Sequence, residues 1–146
     1  MLNIIVKESI AASPEVLLKT LLEHEQLDRF FNASFGVVHS QDKNEIVGGK
    51  GCIREIQTVG LTFQEQIVKA DRNEIQYKII GDFFIEKHFG RIVLHPKSNR
   101  LSIYTNIEYS IAFQVSWYLP SRLIKYFIER DITKAMHKMK EYFDES

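Results

Sequence analysis

PSRLIKYFIERDITKAMHKMKEYF, running from Pro120 to Phe143, is the stretch that decides the architecture. Leu123, Ile124, Phe127, Ile128, Ile132, Ala135, Met136, Met139, Tyr142 and Phe143 recur at steps of three and four, which gathers them on one side of a helix. Charged residues hold the other side, with Asp131 near Lys134 and Lys140 near Asp144 as a solvated face. A helix with one apolar face needs a surface to cover, and residues 34 to 112 provide it. They read as short alternating strands whose own apolar face needs covering. The expected fold class is α+β, a curved antiparallel sheet of about six to seven strands with the long C-terminal helix over its concave face.

Length and composition narrow the function classes. At 146 residues the chain has the size of one domain, 1–146, enough to bury about two thirds of the surface of its unfolded form. Lys plus Arg is 19 and Asp plus Glu is 19, so the overall basic footprint of a nucleic-acid binder is absent. No apolar run approaches the roughly 20 residues of a membrane-spanning helix, and the N-terminus lacks the pattern of a signal peptide. A cytoplasmic protein is expected. The single cysteine, Cys52, excludes an internal disulfide and reads as a small core hydrophobe, and the sequon at Asn32 is then without consequence.

Working back from the helix, Leu101 to Ile111 alternates most cleanly, with Ile103, Thr105, Ile107 and Tyr109 on one face. Pro96 to Asn99 reads as a turn before it. The strand from Glu86 to His95 has two candidate inward sets, His88 with Ile92 and Leu94, or Ile85 with Phe89 and Val93. Ile75, Tyr77 and Ile79 alternate in a further strand. Near the N-terminus, Leu2 to Ile10 forms a strand, and Ser13-Pro14-Glu15 starts a short helix through Leu22, with Ser13 as cap and Pro14 preorganised at the first turn. Glu23 to Gln26 reads as a polar turn leading to a second short helical piece, Leu27 to Phe31. Gly48-Gly49-Lys50-Gly51 only superficially resembles a phosphate loop, because Gly51 stands where Ser or Thr should follow the lysine. It reads as a turn or bulge.

The hairpin around Gly60 carries the chemistry. Pairing Gln57 with Thr62 puts Cys52, Arg54 and Ile56 on one face with Phe63, Glu65 and Ile67, and leaves the other face polar. A shift by one residue would mix the two sets. Arg54 and Glu65 therefore face each other on the apolar side.

With this order of elements, the chain resembles the START-like or Bet v 1-like (SRPBCC) superfamily with its helix-grip fold, and within it the polyketide cyclase/dehydrase branch. The resemblance rests on Ser13-Pro14-Glu15-Val16 after the first strand, Gly49-x-Gly51-x-x-Arg54-x-Ile56, Glu65-x-Ile67 and Tyr77. It continues through Gly90-x-Ile92-x-Leu94-x-Pro96 and the strand Tyr104 to Tyr109. It covers nearly the whole chain. Asn99-Arg100 stands where many relatives have Gly-Thr, and Tyr104 where they have tryptophan, which blurs the subfamily.

The resemblance implies a cavity between sheet and helix, used by relatives for lipids, sterols, hormones, quinones or polyketide intermediates. Phe63, Ile67, Tyr77, Ile79, Ile103, Ile107 and Tyr109 from the sheet, and Phe127, Ile128, Met136 and Met139 from the helix, would line it, with Tyr77, Thr105 and Tyr109 as hydroxyl donors. The same residues would equally pack a filled core. Arg54 and Glu65 are the candidate catalytic pair, as electrostatic stabiliser and base. The alternative is a structural ion pair in which each makes the other tolerable in the interior. His88 either enters the cavity near Tyr109 or stays at the surface. No histidine or cysteine spacing matches a metal site, and nothing points to a cofactor. Trp117-Tyr118-Leu119-Pro120 packs the start of the helix, forms a lid, or offers an edge to a protein partner, a homodimer included. Three functions share this fold: binding of a small hydrophobic molecule, a cyclase or dehydratase acting on one, and an interaction module with a filled core.

Overall fold

The computed structural model describes residues 1–98 and 102–145. Seven strands form one antiparallel sheet in the order β1-β7-β6-β5-β4-β3-β2. They are β1 (Leu2–Ile10), β2 (Ser34–His39), β3 (Ile53–Thr58), β4 (Leu61–Ala70), β5 (Glu74–Ile80), β6 (Ile85–Ser98) and β7 (Ile103–Val115). From β2 to β7 each strand lies beside its successor, while β1 crosses to pair with β7, so β1 and β2 are the two open edges. Two short helices follow β1: α1 (Pro14–Leu22) and a 3-10 helix (His24–Arg29). The long helix α2 (Ser121–Asp144) ends the chain. This is a helix-grip α+β architecture. Among the described residues, no helix is long and apolar enough to cross a membrane.

The local signals explain most boundaries. Ser13 caps α1 by accepting the Val16 amide at 3.3 Å, and Pro14 opens the helix. In the β3–β4 hairpin Gln57 faces Thr62 and Arg54 faces Glu65, as the segregation of polar and apolar residues requires. Val59 and Gly60 form its two-residue turn with φ of 40° and 80°, the left-handed pair of a type I′ turn.

Three expectations are corrected. The second helical piece begins at His24 and ends at Arg29, so the segment read as a polar turn is helical and Phe30 lies beyond it. Pro96 to Ser98 continues β6 against Thr105 to Ile103 instead of turning. Pro96 is tolerated there because the β5 ladder stops at Val93 and the Leu94 amide already turns to the Asn73 carbonyl of a loop. The amide that proline lacks would have pointed to that unpaired side. Asn99 and Leu101, read as the end of that turn and the start of the next strand, lie outside the described residues.

The third correction concerns α2. Its buried residues are Ile132, Ala135, Met136 and Met139, from the middle of the helix onward, and the helix packs along β1. Burying Ile132, Met136 and Met139 contributes about 1.5 to 3 kcal/mol each. In the N-terminal half Leu123, Tyr126 and Phe127 are about half exposed. The apolar stripe is continuous in sequence, but the sheet closes against only part of it.

Candidate functional site

Where α2 stands off, a cavity of about 640 Å³ opens beneath it. Strands β2 to β7 wall it with Phe35, Ile56, Phe63, Ile67, Ile75, Tyr77, Ile79, Ile92, Tyr109 and Ile111 among others, and α2 roofs it with Ile124, Phe127, Ile128 and Ile132. Val59, Arg130 and Asp131 also border it and are exposed, so the cavity meets solvent between the β3–β4 turn and the middle of α2. Phe63 stacks on Phe83 at 4.8 Å between ring centres, extending the apolar wall into the loop before β6.

One polar cluster sits in this wall. Arg54 is 7% exposed and Glu65 6%. Arg54 donates from Nε at 3.0 Å and from Nη2 at 2.7 Å, both to Glu65 Oε1. No hydrogen bond reaches Glu65 Oε2 from the described residues. The third guanidinium nitrogen donates to His24 Nδ1 at 3.1 Å, and the cation lies over the rings of Phe35 and Tyr77 at 5.2 and 5.1 Å. Arginine has only donors, so His24 Nδ1 must be unprotonated. His24 Nε2 then carries the proton and donates to the Gly48 carbonyl at 2.8 Å. Gly48 has a φ of 79°, and a side chain there would collide with the Leu22 carbonyl. The glycine-rich step is thus a turn that offers His24 its acceptor.

Burial sets the ionisation of the cluster. It pushes the His24 pKa down to about 4, helped by the Arg54 charge and against the Gly48 bond. Burial raises the Glu65 carboxyl above the usual range against the pull of Arg54. Arg54 is disfavoured by burial, but the facing Glu65, with Tyr77 and Tyr109, more than offsets this and raises it. The Tyr77 and Tyr109 hydroxyls hydrogen-bond to each other, and burial raises both phenols, Tyr109 to about 12. The site therefore holds one cation, one anion and several neutral groups.

The other candidate residues divide by position. Arg54, Phe63, Glu65, Ile67, Tyr77, Ile79, Tyr109, Phe127 and Ile128 all border the cavity. Ile103, Thr105, Ile107 and Met136 do not. Ile103 is 63% exposed beyond the covered part of β7, and the Thr105 hydroxyl donates to the Ala12 carbonyl at 2.7 Å in the closed end of the fold. Ile107 and Met136 are fully buried in the packed core, as is Met139. The interior is thus filled at one end and open at the other.

One group at the site escaped sequence reading, and a second was left between two positions. His24 lay in an apparent polar turn, and its partners come from β3 and the Gly48 turn, far away in sequence. His88, whose face was ambiguous, borders the cavity and its ring lies 5.4 Å from that of Tyr77. Burial and the Arg54 charge lower its pKa to about 4. Among the described residues, no cluster of three or more His, Cys, Asp or Glu is arranged to hold a metal ion.

No family model and no curated protein sequence matches the chain. Solved structures do. A START superfamily protein from Mycobacterium smegmatis superposes with a TM-score of 0.78 at 11% identity, covering 98% of this chain and 97% of its own. The protein XoxI from Bacillus cereus gives 0.71 at 15% identity, with 98% and 96% covered. Ara h 8.0201 gives 0.71 at 17% identity, with 99% of each chain covered. At such identities what is shared is the fold, from end to end, and the chain has the helix-grip fold of the START-like and Bet v 1-like proteins.

Proposed function

We propose that the chain, acting as one domain, binds a small neutral hydrophobic molecule, lipid-like or aromatic, between the sheet and α2. The observation that carries this is the cavity itself. Its roughly 640 Å³ lies within the usual range of small-molecule sites, and its wall is apolar apart from a few convergent polar groups. Arg54 and Glu65 already neutralise each other, so neither a free cation nor a free anion is called for. The shared fold with START-like structures supports the same reading.

Mass spectrometry of freshly purified protein under native conditions, repeated after solvent extraction, tests it. The expected result is a small molecule lost on extraction, and an extracted protein that takes up the uncharged dye Nile red and releases it to competing hydrophobes. A protein that arrives empty and does not take up the dye would refute the proposal.

Catalysis is the second reading, in line with the resemblance to polyketide cyclases and dehydrases. It is favoured by one observation, a buried carboxyl of raised pKa whose Oε2 has no donor among the described residues. Turnover of a bound polyketide-like substrate should then collapse in Glu65→Gln while binding persists. Full activity in that variant removes Glu65 from any mechanism.

A further inference from the structure

His88 is placed by an irregularity of β6. Glu86 faces Gln114 and Phe89 faces Ala112, so Lys87 and His88 together oppose Phe113 alone. Lys87 adopts a φ of 49°, unusual for a residue with a side chain. The extra residue switches the parity of the strand. Ile85 borders the cavity before the bulge, and His88 and Ile92 border it afterwards.

The bulge also fixes the histidine's chemistry. The β5–β6 ladder ends where Tyr77 faces Gly90, leaving the Ile79 amide without a strand partner, and His88 Nδ1 accepts it at 3.2 Å. An amide can only donate, so the proton of the neutral ring belongs to Nε2. Nε2 has no acceptor among the described residues. Among the described residues that are not exposed, Arg29 Nε is the sole fully buried side-chain nitrogen or oxygen without a partner, so His88 Nε2 is not sealed off, and His88 borders the cavity. The result is a fixed, uncharged donor on an apolar wall. An anionic ligand would meet the Glu65 carboxylate on the same wall, with Arg54 already committed to that carboxylate.

We propose that His88 is a specificity-determining residue whose Nε2–H selects neutral ligands bearing an acceptor oxygen, of which a ketone is the simplest, over hydrocarbons of the same shape. This rests on the reading of the cavity as a ligand site, and the test separates the two. Fluorene and 9-fluorenone have the same skeleton and differ by a methylene against a carbonyl. Their affinities are measured by displacement of Nile red from wild-type protein and from His88→Phe. The ketone-to-hydrocarbon affinity ratio should fall in the variant by about three- to tenfold, the worth of one hydrogen bond. A ratio unchanged by the substitution overturns the proposal alone, whereas failure of both probes to bind wild-type protein overturns the cavity reading and this proposal with it. A second measurement needs no variant. Proton–nitrogen correlation of the wild-type imidazole should place the ring proton on Nε2 and move that signal on adding 9-fluorenone but not fluorene. A signal on Nδ1, or one indifferent to the ketone, overturns the assignment.

Discussion

At the scale of single residues, the interior holds a charge only because each charged group has a nearby partner. Arg54 is enclosed by Glu65, His24 and two aromatic rings, and removing it would leave a carboxylate in an apolar wall. Arg54→Leu should therefore lose about 3 to 5 kcal/mol, and adding Glu65→Leu should recover most of that loss, because an apolar pair replaces an orphaned charge. Urea unfolding of the two single variants and the double variant checks this; a double variant as unstable as Arg54→Leu would contradict it. His24 gives the site an acid-sensitive component. Its folded pKa of about 4 lies below the ordinary 6.5, so between those values the unfolded chain binds the proton more readily. The stability this group contributes is present above pH 6.5 and is lost as pH falls toward 4, by up to about 3 kcal/mol. Glu65, raised by burial, runs the other way, so the quantity to measure is the difference between wild type and His24→Gln across that window. It should shrink on acidification; a difference independent of pH would mean that His24 is not held neutral.

Elements show what alternation can and cannot convey. The β3–β4 register is legible because one pairing segregates apolar from polar residues and the neighbouring pairing mixes them, which brings Arg54 opposite Glu65 on sequence alone. The inward face of β6 was not legible, since its two candidate sets are each right on one side of a bulge, and Lys87, unlike a glycine, does not advertise the left-handed backbone. Along β7, alternation placed Ile103, Thr105, Ile107 and Tyr109 on one face, as observed, yet the strand runs from an exposed end through a filled core to the cavity wall. Periodicity specifies a face and says nothing of depth along it. His24 was hidden for another reason, because its role depends entirely on distant partners. The turn of the same hairpin offers a test at this scale. Val59 is β-branched yet sits at a φ of 40°, where branched side chains are strained, while Asn is favoured there before glycine. Val59→Asn should raise stability by about 1 kcal/mol, read as a higher urea midpoint with unchanged slope. A lower midpoint would show that Val59, at the cavity rim, contributes more through contacts than it loses through strain.

For the whole molecule, an open cavity is a stability deficit maintained inside a fold that could have filled it. Side chains around a void lack partners on one side, and packing of interior surface is what the rest of the core uses to hold α2 along β1. The filled end shows that this sheet and helix can close, with Ile107, Met136 and Met139 fully buried. Two states should then compensate for the deficit: a bound ligand, or a larger side chain. Ile79 borders the cavity from β5, opposite Glu65, and tryptophan suits both a strand and an apolar wall. Ile79→Trp should stabilise the empty protein by about 0.5 to 2 kcal/mol, as cavity-filling substitutions do. Ligand at a hundredfold excess over its Kd stabilises wild-type protein by about 2.7 kcal/mol, several degrees in Tm for a chain of this size. In Ile79→Trp that ligand-induced shift should vanish, because the substitution occupies the same space. Thermal melts of both proteins with and without the extracted molecule or 9-fluorenone decide the matter. A variant that keeps the full ligand shift would place the ligand elsewhere. One that loses both stability and shift would mean that the wall cannot accommodate the indole, and the smaller Ile79→Phe would then have to show the same exchange of binding for stability.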